Sequence, residues 1–312
     1  VSSKPPSFLR MPHGTNLDAI SLSENTFQVG ILAQPLLREV SNEDDMTEAS
    51  LTLAVSTMHD RYRGLALPDP RDGVEWLVIV QKPDGDPESH FTSRSDIRVI
   101  VSGEVGLSRS RNLAVEAVRT PWLLLCDDDV ALDLDAVDML LTRARSRRAA
   151  DPGTGFFWAR LTRENGDWLA RYPEDDTSLG LRSARGIQSA STLLRMEALR
   201  RSGICFDTRF GLGTDLPTGE EYILVTDLVK AGWRGWHVAI PIGVHPSETS
   251  GQSARDPRIM RGRAAVLGRV FGIVAPLVRA RYAWAHRDKF DSAMDALRFT
   301  LGARFMDGAS RT

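Results

Sequence analysis

The stretch that decides the fold reads PWLLLCDDDVALD, Pro121 to Asp133. An apolar run of strand length, Trp122 to Cys126, leads straight into three carboxylates, Asp127, Asp128 and Asp129. Adjacent anions repel and resist burial, so either water bathes them or a cation sits among them.

Upstream, LTLAVSTM from Leu51, VEWLVIVQ ended by KPDGD, and DIRVIVS all read as strands. MHDRYRGLALP reads as a loop with a short helix. SRSRNLAVEAVR is helical, with Ser108 as N-cap and Leu113, Ala114, Ala117 and Val118 on one apolar face. Downstream, LDLDAVDMLLTRARSRRAA is an amphipathic helix that stops at DPGTG. Strands alternating with helices predict an α/β fold with a mostly parallel sheet covered on both faces. Ligands of such sheets bind beyond the carboxyl ends of the strands, where Asp127 to Asp129 fall.

The second half has a different rhythm. FFWARLTR and NGDWLARYP suggest an antiparallel pair, and GIQSASTLLRMEALRRSG a strand leading into a short helix. GEEYILVTDLVKAGW is a helix closed by Gly232, and WRGWHVAIPIGVHP a strand ending at His245. From about residue 257 one or two helices follow, with Pro276 as a break. The expected organisation is an N-terminal extension over 1–50, a catalytic domain over 51–256, and a helical segment over 257–312 packed on it. In the extension, NTFQVGILAQPLL has the makings of a short strand that Pro35 breaks.

The 312 residues are 42% hydrophobic and 26% charged, the balance of a soluble globular chain. A formal net charge of −2 gives no bias toward nucleic acid. The two cysteines, Cys126 in the apolar run and Cys205, read as reduced thiols, hence a cytoplasmic setting. No signal-peptide pattern opens the sequence, and Val1 in place of Met fits numbering that starts inside a longer or processed product.

In extended backbone, Asp127 and Asp129 turn toward the same space. Their hard oxygens suit Mn²⁺ or Mg²⁺, and an incomplete carboxylate shell leaves positions for water and substrate phosphate. A solvated loop that caps the following helix is the competing reading. Arg109 and Arg111 lie in the first turn of their helix, where free N–H groups also favour an anion; ordinary solvated arginines are the alternative. Glu220 and Glu221 open a helix, which favours acids on electrostatic grounds alone, yet either carboxylate there can act as a general base. Gly211, Gly213 and Gly219 suit a loop passing close to a ligand. His245, at a strand end, is of a kind that is more often structural, but a neutral imidazole there can complete a metal shell. The polar loop after it, PSETSGQSARD, could close over a ligand.

In this order LAVSTMHDR, VEWLVIVQKPDG, GLSRSRN, LLLCDDD and GEEYILVTDLVKAGW resemble the family 2 glycosyltransferases, which have the GT-A fold. The likeness spans about residues 50 to 247, and GLSRSRN followed closely by LLLCDDD is its specific part. SASTLLRMEALRRSGICFDTRFG is similar to the acceptor side of family members that build bacterial surface polysaccharides. The resemblance implies a metal-dependent, inverting transfer of a sugar from a nucleotide diphosphate to an acceptor hydroxyl. It assigns Asp129, Asp127 and His245 to Mn²⁺ or Mg²⁺, and Glu221, with Glu220 beside it, to deprotonating the acceptor. Ser56, Thr57, Gln81, Asp84, Arg109, Arg111, Asp127 and Asp128 fall on its donor-binding side.

The implied partners are a nucleotide-diphosphate sugar, UDP-linked by preference, and a saccharide or lipid-linked acceptor, with peripheral contact at the inner membrane face. Two departures stand out. Gln81 replaces the acid that the family places at the end of its second strand, which loosens the UDP preference. Gly-Glu-Glu replaces Gly-Glu-Asp, which leaves the division of labour between Glu220 and Glu221 open.

A sugar-nucleotide nucleotidyltransferase would need a Gly-rich, Arg-containing loop after the first strand, and STMHDRYRG is a poor one. A catalytically silent binding module is the other alternative, and the retained carboxylates weigh against it. The C-terminal stretch AAVLGRVFGIVAPLVRARYAWAHRDKF is expected to pack on the catalytic domain, with an interfacial helix against anionic lipid as the second reading.

Overall fold

In the computed structural model, which describes residues 50–246 and 256–302, a single nine-stranded sheet carries the site. The expected extension and the loop after Pro246 lie outside the described residues, apart from their flanks. The described residues all fall within one unit that begins at Asp45.

Three strands, β1 (Leu51–Met58), β2 (Val74–Gln81) and β3 (Ile97–Ser102), pair in parallel, and β4 (Trp122–Asp127) adds in parallel to the other edge of β1. Beyond β4 the order continues through β8 (Thr192–Arg195), β6 (Thr154–Arg163) and β9 (Arg234–His245) to the two-residue β5 (Ala131–Leu132). The short β7 (Thr177–Leu179) pairs with β9. Because β8 is antiparallel to both β4 and β6, and β9 is parallel to β6, strands β1, β2, β3, β4, β6 and β9 all run one way. Their carboxyl ends therefore share one edge, which brings Asp127 and His245 to the same side from strands far apart in sequence.

The central strands β2 and β4 are apolar along most of their length because both faces are covered. Along β2, Leu77, Val78, Ile79 and Val80 are fully buried, and along β4 so are Leu123 and Leu124. Alternation sends Leu123 and Leu125 to one core and Leu124 and Cys126 to the other. The first core is closed by α2 (Leu107–Ala117), α4 (Met196–Ser202) and α5 (Glu220–Lys230), the second by α3 (Leu134–Ala150). Asp133 caps α3 by accepting from the N–H groups of Asp135 and Ala136. The four-residue α1 (Pro87–His90) lies between β2 and β3.

Two local expectations are corrected. Ser108 is not the cap of α2: Gly106 takes that position without a side-chain bond, and the Ser108 hydroxyl donates to the Phe210 carbonyl at 2.6 Å. NGDWLARYP does not supply a full strand. It pairs with β6 only around the turn, through the Thr162–Trp168 bridge and the Leu169 N–H to Leu161 carbonyl bond. Beyond that tip β6 is held by β8 and β9, partners far along the chain.

At the C-terminal end come α6 (Pro257–Phe271), α7 (Ala275–Ala285) and α8 (Ala293–Leu301). Pro276 opens α7, where its missing N–H costs nothing. Val266 and Val270 of α6 enter the first core, and Arg269 bonds Asp227 of α5 at 2.6 Å. The same Val266 sits over Gly219, the residue before α5, whose φ is +83°. A Cβ there would lie 2.7 Å from Val266 Cγ2. Gly219→Ala is expected to lose about 1–3 kcal/mol of stability from left-handed strain and this clash together. Urea denaturation measures it, and an unchanged midpoint would show that the loop relaxes freely.

Candidate active site

A cleft of about 400 Å³ opens at the shared carboxyl edge. Its floor is made of strand ends: Ser56 and Thr57 of β1, Gln81 of β2, Asp127 of β4 and His245 of β9. Asp128 and Asp129 also line it.

The three aspartates separate by role. Asp128 accepts from the Thr57 hydroxyl at 2.7 Å and from Arg61 Nη2 at 2.5 Å. Burial pushes its carboxyl above the ordinary value, against the pull of Thr57 and Arg61. Asp127 and Asp129 gather instead with His245, and one ligand atom from each lies within 4.8 Å of the others. His245 Nδ1 is 2.8 Å from the Pro246 carbonyl, so Nδ1 carries the proton and donates. This leaves Nε2 unprotonated on the side of Asp129, 3.6 Å from its Oδ1. Two carboxylates and an imidazole with a fixed tautomer fit a hard or borderline divalent cation.

Behind this floor Arg111 is buried, rather than free at the helix start. Its guanidinium donates to Glu220 Oε1 at 2.8 Å, to Asp127 Oδ1 at 3.2 Å and to the Ser189 hydroxyl. Burial works against its charge, but Glu220, Asp127 and Glu221 outweigh that and hold it above its ordinary value. Glu220 is correspondingly enclosed. Arg111→Ala would leave that carboxylate without its cation, and a loss of about 3–5 kcal/mol is expected by urea denaturation; a loss below about 1 kcal/mol would mean that water replaces the partner.

Glu221 is only partly exposed and differs from its neighbour. The bond given to its carboxylate comes from Ser189 Oγ at 3.5 Å, and desolvation, then the Glu220 charge, push it up to about 8. Ser189 thus links Glu221 through Arg111 to Asp127. Gly211, with φ +102°, lets the preceding loop close on this pair, since a Cβ would lie 3.1 Å from Glu220 Cδ.

Of the other sequence-predicted residues, Ser56 Oγ accepts from the Ser110 hydroxyl at 2.8 Å, and Gln81 Oε1 accepts from the Gly106 N–H at 2.7 Å. Two lie apart from the cleft lining: Arg109 pairs with Glu104 at 2.8 Å on the surface, and the exposed Asp84 stands 4.0 Å from His59. Arg61 and Ser189 were missed from sequence. Arg61 sits in what reads as an ordinary loop, and Ser189 in a short 3₁₀ turn with no motif around it.

Residues 87–203 match the family model described as Glycosyl transferase family 2. No curated protein matches the sequence. Among solved structures, S. aureus TarS 1–349 is similar with a TM-score of 0.55 at 11% identity, over 81% of this chain and 80% of that one. The same TarS fragment in complex with UDP-GlcNAc gives 0.53 at 11% identity over 81% and 80%. A longer TarS structure gives 0.53 at 12% identity, over 80% of this chain but 45% of that one. At such identities the likeness bears on the fold alone. The matched segment runs through the Arg111 helix and the strand-end aspartates, inside a sheet architecture shared with TarS; residues 87–203 are thus similar to the family 2 glycosyltransferases, and the chain has the GT-A fold.

Proposed function

We propose that the protein transfers a sugar from a nucleotide-diphosphate donor, UDP-linked by preference, to an acceptor hydroxyl with inversion at the anomeric carbon, in polysaccharide or glycoconjugate synthesis. The observation that carries this reading is the convergence of Asp127, Asp129 and His245 at the end of a cleft floored by strand ends.

Asp127, Asp129 and His245 would hold Mn²⁺ or Mg²⁺. When bound, the cation supplies charge neutralisation to the departing diphosphate. The chain's own residues do the rest. Asp128, tied to Thr57 and Arg61, fixes the loop that carries Asp129. Gln81 spends its amide oxygen on Gly106, so its NH₂ group is left to donate to a carbonyl of the base. Uracil offers such carbonyls, and TarS in complex with UDP-GlcNAc supports the same preference. Glu220 stays paired with Arg111, and Glu221 takes the acceptor proton as the new C–O bond forms and the sugar–phosphate bond breaks. Helix α6 packs on α5 through Val266 and Val270 and the Arg269–Asp227 pair.

Calorimetric titration with UDP, GDP and TDP, with and without Mn²⁺, tests the reading. Tighter binding of one nucleotide in the presence of Mn²⁺ supports it and identifies the base. No binding of any nucleotide would sink it. Nucleotide binding without turnover of any sugar nucleotide would leave a silent binding module.

A further inference from the structure

The outer face of α7 is apolar and uncovered. Ile273 is 97% exposed, Leu277 75% and Trp284 71%. Leu277 and Trp284, seven residues apart, share one side of α7 with Arg281 between them, and Ile273 stands exposed in the 3₁₀ turn that leads into the helix. The inward face is locked by Ala275, Arg279 and Ala283, which are buried. Arg279 Nε donates to the Ala264 carbonyl of α6 at 2.8 Å, and its guanidinium fills the space a Cβ would need at Gly268 and Gly302. The helix therefore cannot roll to hide its outer stripe without breaking that packing. On α8, Met294, Leu297 and Leu301 recur at the same helical spacing and are each about half exposed.

Charge tells what covers the stripe. From Gly272 to Arg287 there is no acidic residue, while Arg281 and Arg287 stand exposed. Just past the helix, His286 is held below its ordinary value by burial first, then by Lys289, Arg263 and Arg185, with Asp288 opposing them. A stripe of Ile, Leu and Trp flanked by cations suits the boundary between acyl chains and anionic headgroups, and indole is at home there. No helix among the described residues is long and apolar enough to cross a membrane, so contact along one face is the mode this segment allows.

We infer that the Ile273–Leu277–Trp284 face of α7, with Arg281 and Arg287, docks the protein on an anionic phospholipid surface. The surface works separately from the sugar-transfer site: nucleotide titration reads one and sedimentation the other.

The test is co-sedimentation of the full chain with vesicles of phosphatidylcholine alone and of phosphatidylcholine with phosphatidylglycerol at about 7:3. Wild type is expected to pellet with the anionic vesicles and to release as salt rises. Combining Ile273→Ser, Leu277→Ser and Trp284→Ser is expected to lower partitioning by about tenfold or more, while thermal melting stays as in wild type. Arg281→Glu with Arg287→Glu is expected to abolish the preference for anionic over neutral vesicles. If the triple variant melts early, Leu277→Ser alone carries the apolar test. Equal pelleting with both vesicle types, or partitioning indifferent to these variants, overturns the proposal. So does a wild-type dimer that ignores vesicles and becomes monomeric in the triple variant, which would assign the face to a second copy of the chain.

Discussion

Replacing Asp129 with alanine is expected to remove the Mn²⁺-dependent part of UDP binding, weakening it by about 100-fold or more at saturating metal. The reason lies in the division among the three aspartates. Asp129 Oδ1 faces His245 Nε2 at 3.6 Å, whereas Asp127 shares its carboxylate with Arg111. Among the described residues no arginine or lysine pairs with Asp129, so its charge is the one most available to a metal. Asp128→Asn serves as the control. Its oxygens are committed to Thr57 and Arg61, so its loss is expected to disturb the loop while leaving binding dependent on Mn²⁺. Titrations with and without EDTA distinguish the outcomes. UDP affinity that is the same in EDTA and in Mn²⁺, for wild type and Asp129→Ala alike, would show that the triad holds no metal relevant to the donor.

Glu221→Gln is expected to lower kcat by about 10²–10⁴-fold with UDP affinity unchanged, the range for removing a general base. Glu220→Gln should behave differently, because Glu220 neutralises buried Arg111; its loss is expected in stability and expression before catalysis. The pH dependence separates the two further. A base must be deprotonated to act, and the Glu221 carboxyl sits at about 8, above its ordinary 4.5. The wild-type rate is therefore expected to climb as pH rises through about 8.

The same shift has a stability consequence of opposite sign. The folded chain holds this proton more tightly than the unfolded chain, so the contribution is fully present below about 4.5 and is lost as pH rises to about 8. Glu221→Gln should remove both the rate limb and that part of the stability slope. A rate profile flat from pH 6 to 9 would transfer the base role elsewhere.

Much of the parallel half of the fold is legible in the sequence. A strand buried on both faces must be apolar along its length, and VEWLVIVQ and WLLLC admit little else. The apolar run that stops at Asp127 marks a strand end because carboxylates resist burial. The antiparallel pairing expected for NGDWLARYP forms only next to the turn, for the complementary reason. Local sequence shows the Asn165–Gly166 turn, but β6 takes its partners from residues some 30 to 90 positions later, and such pairing leaves no local trace.

Arg111 shows the same limit within the site. In the sequence it is a cation in the first turn of a helix, suited to a phosphate. Only the tertiary structure sets Glu220 and Asp127 against it and buries the whole group, turning an apparent ligand contact into a counter-ion. The sequence by itself determined the strand-end aspartates, the Gly-Glu-Glu helix start and the histidine at the end of its strand, since each is marked by a change from apolar to polar at an element's end. Their convergence, the separation of Asp128 from Asp127 and Asp129, and the different tasks of Glu220 and Glu221 depend on which charges and hydroxyls packing brings within about 3 Å, and those distances are fixed only when distant strands close into one sheet.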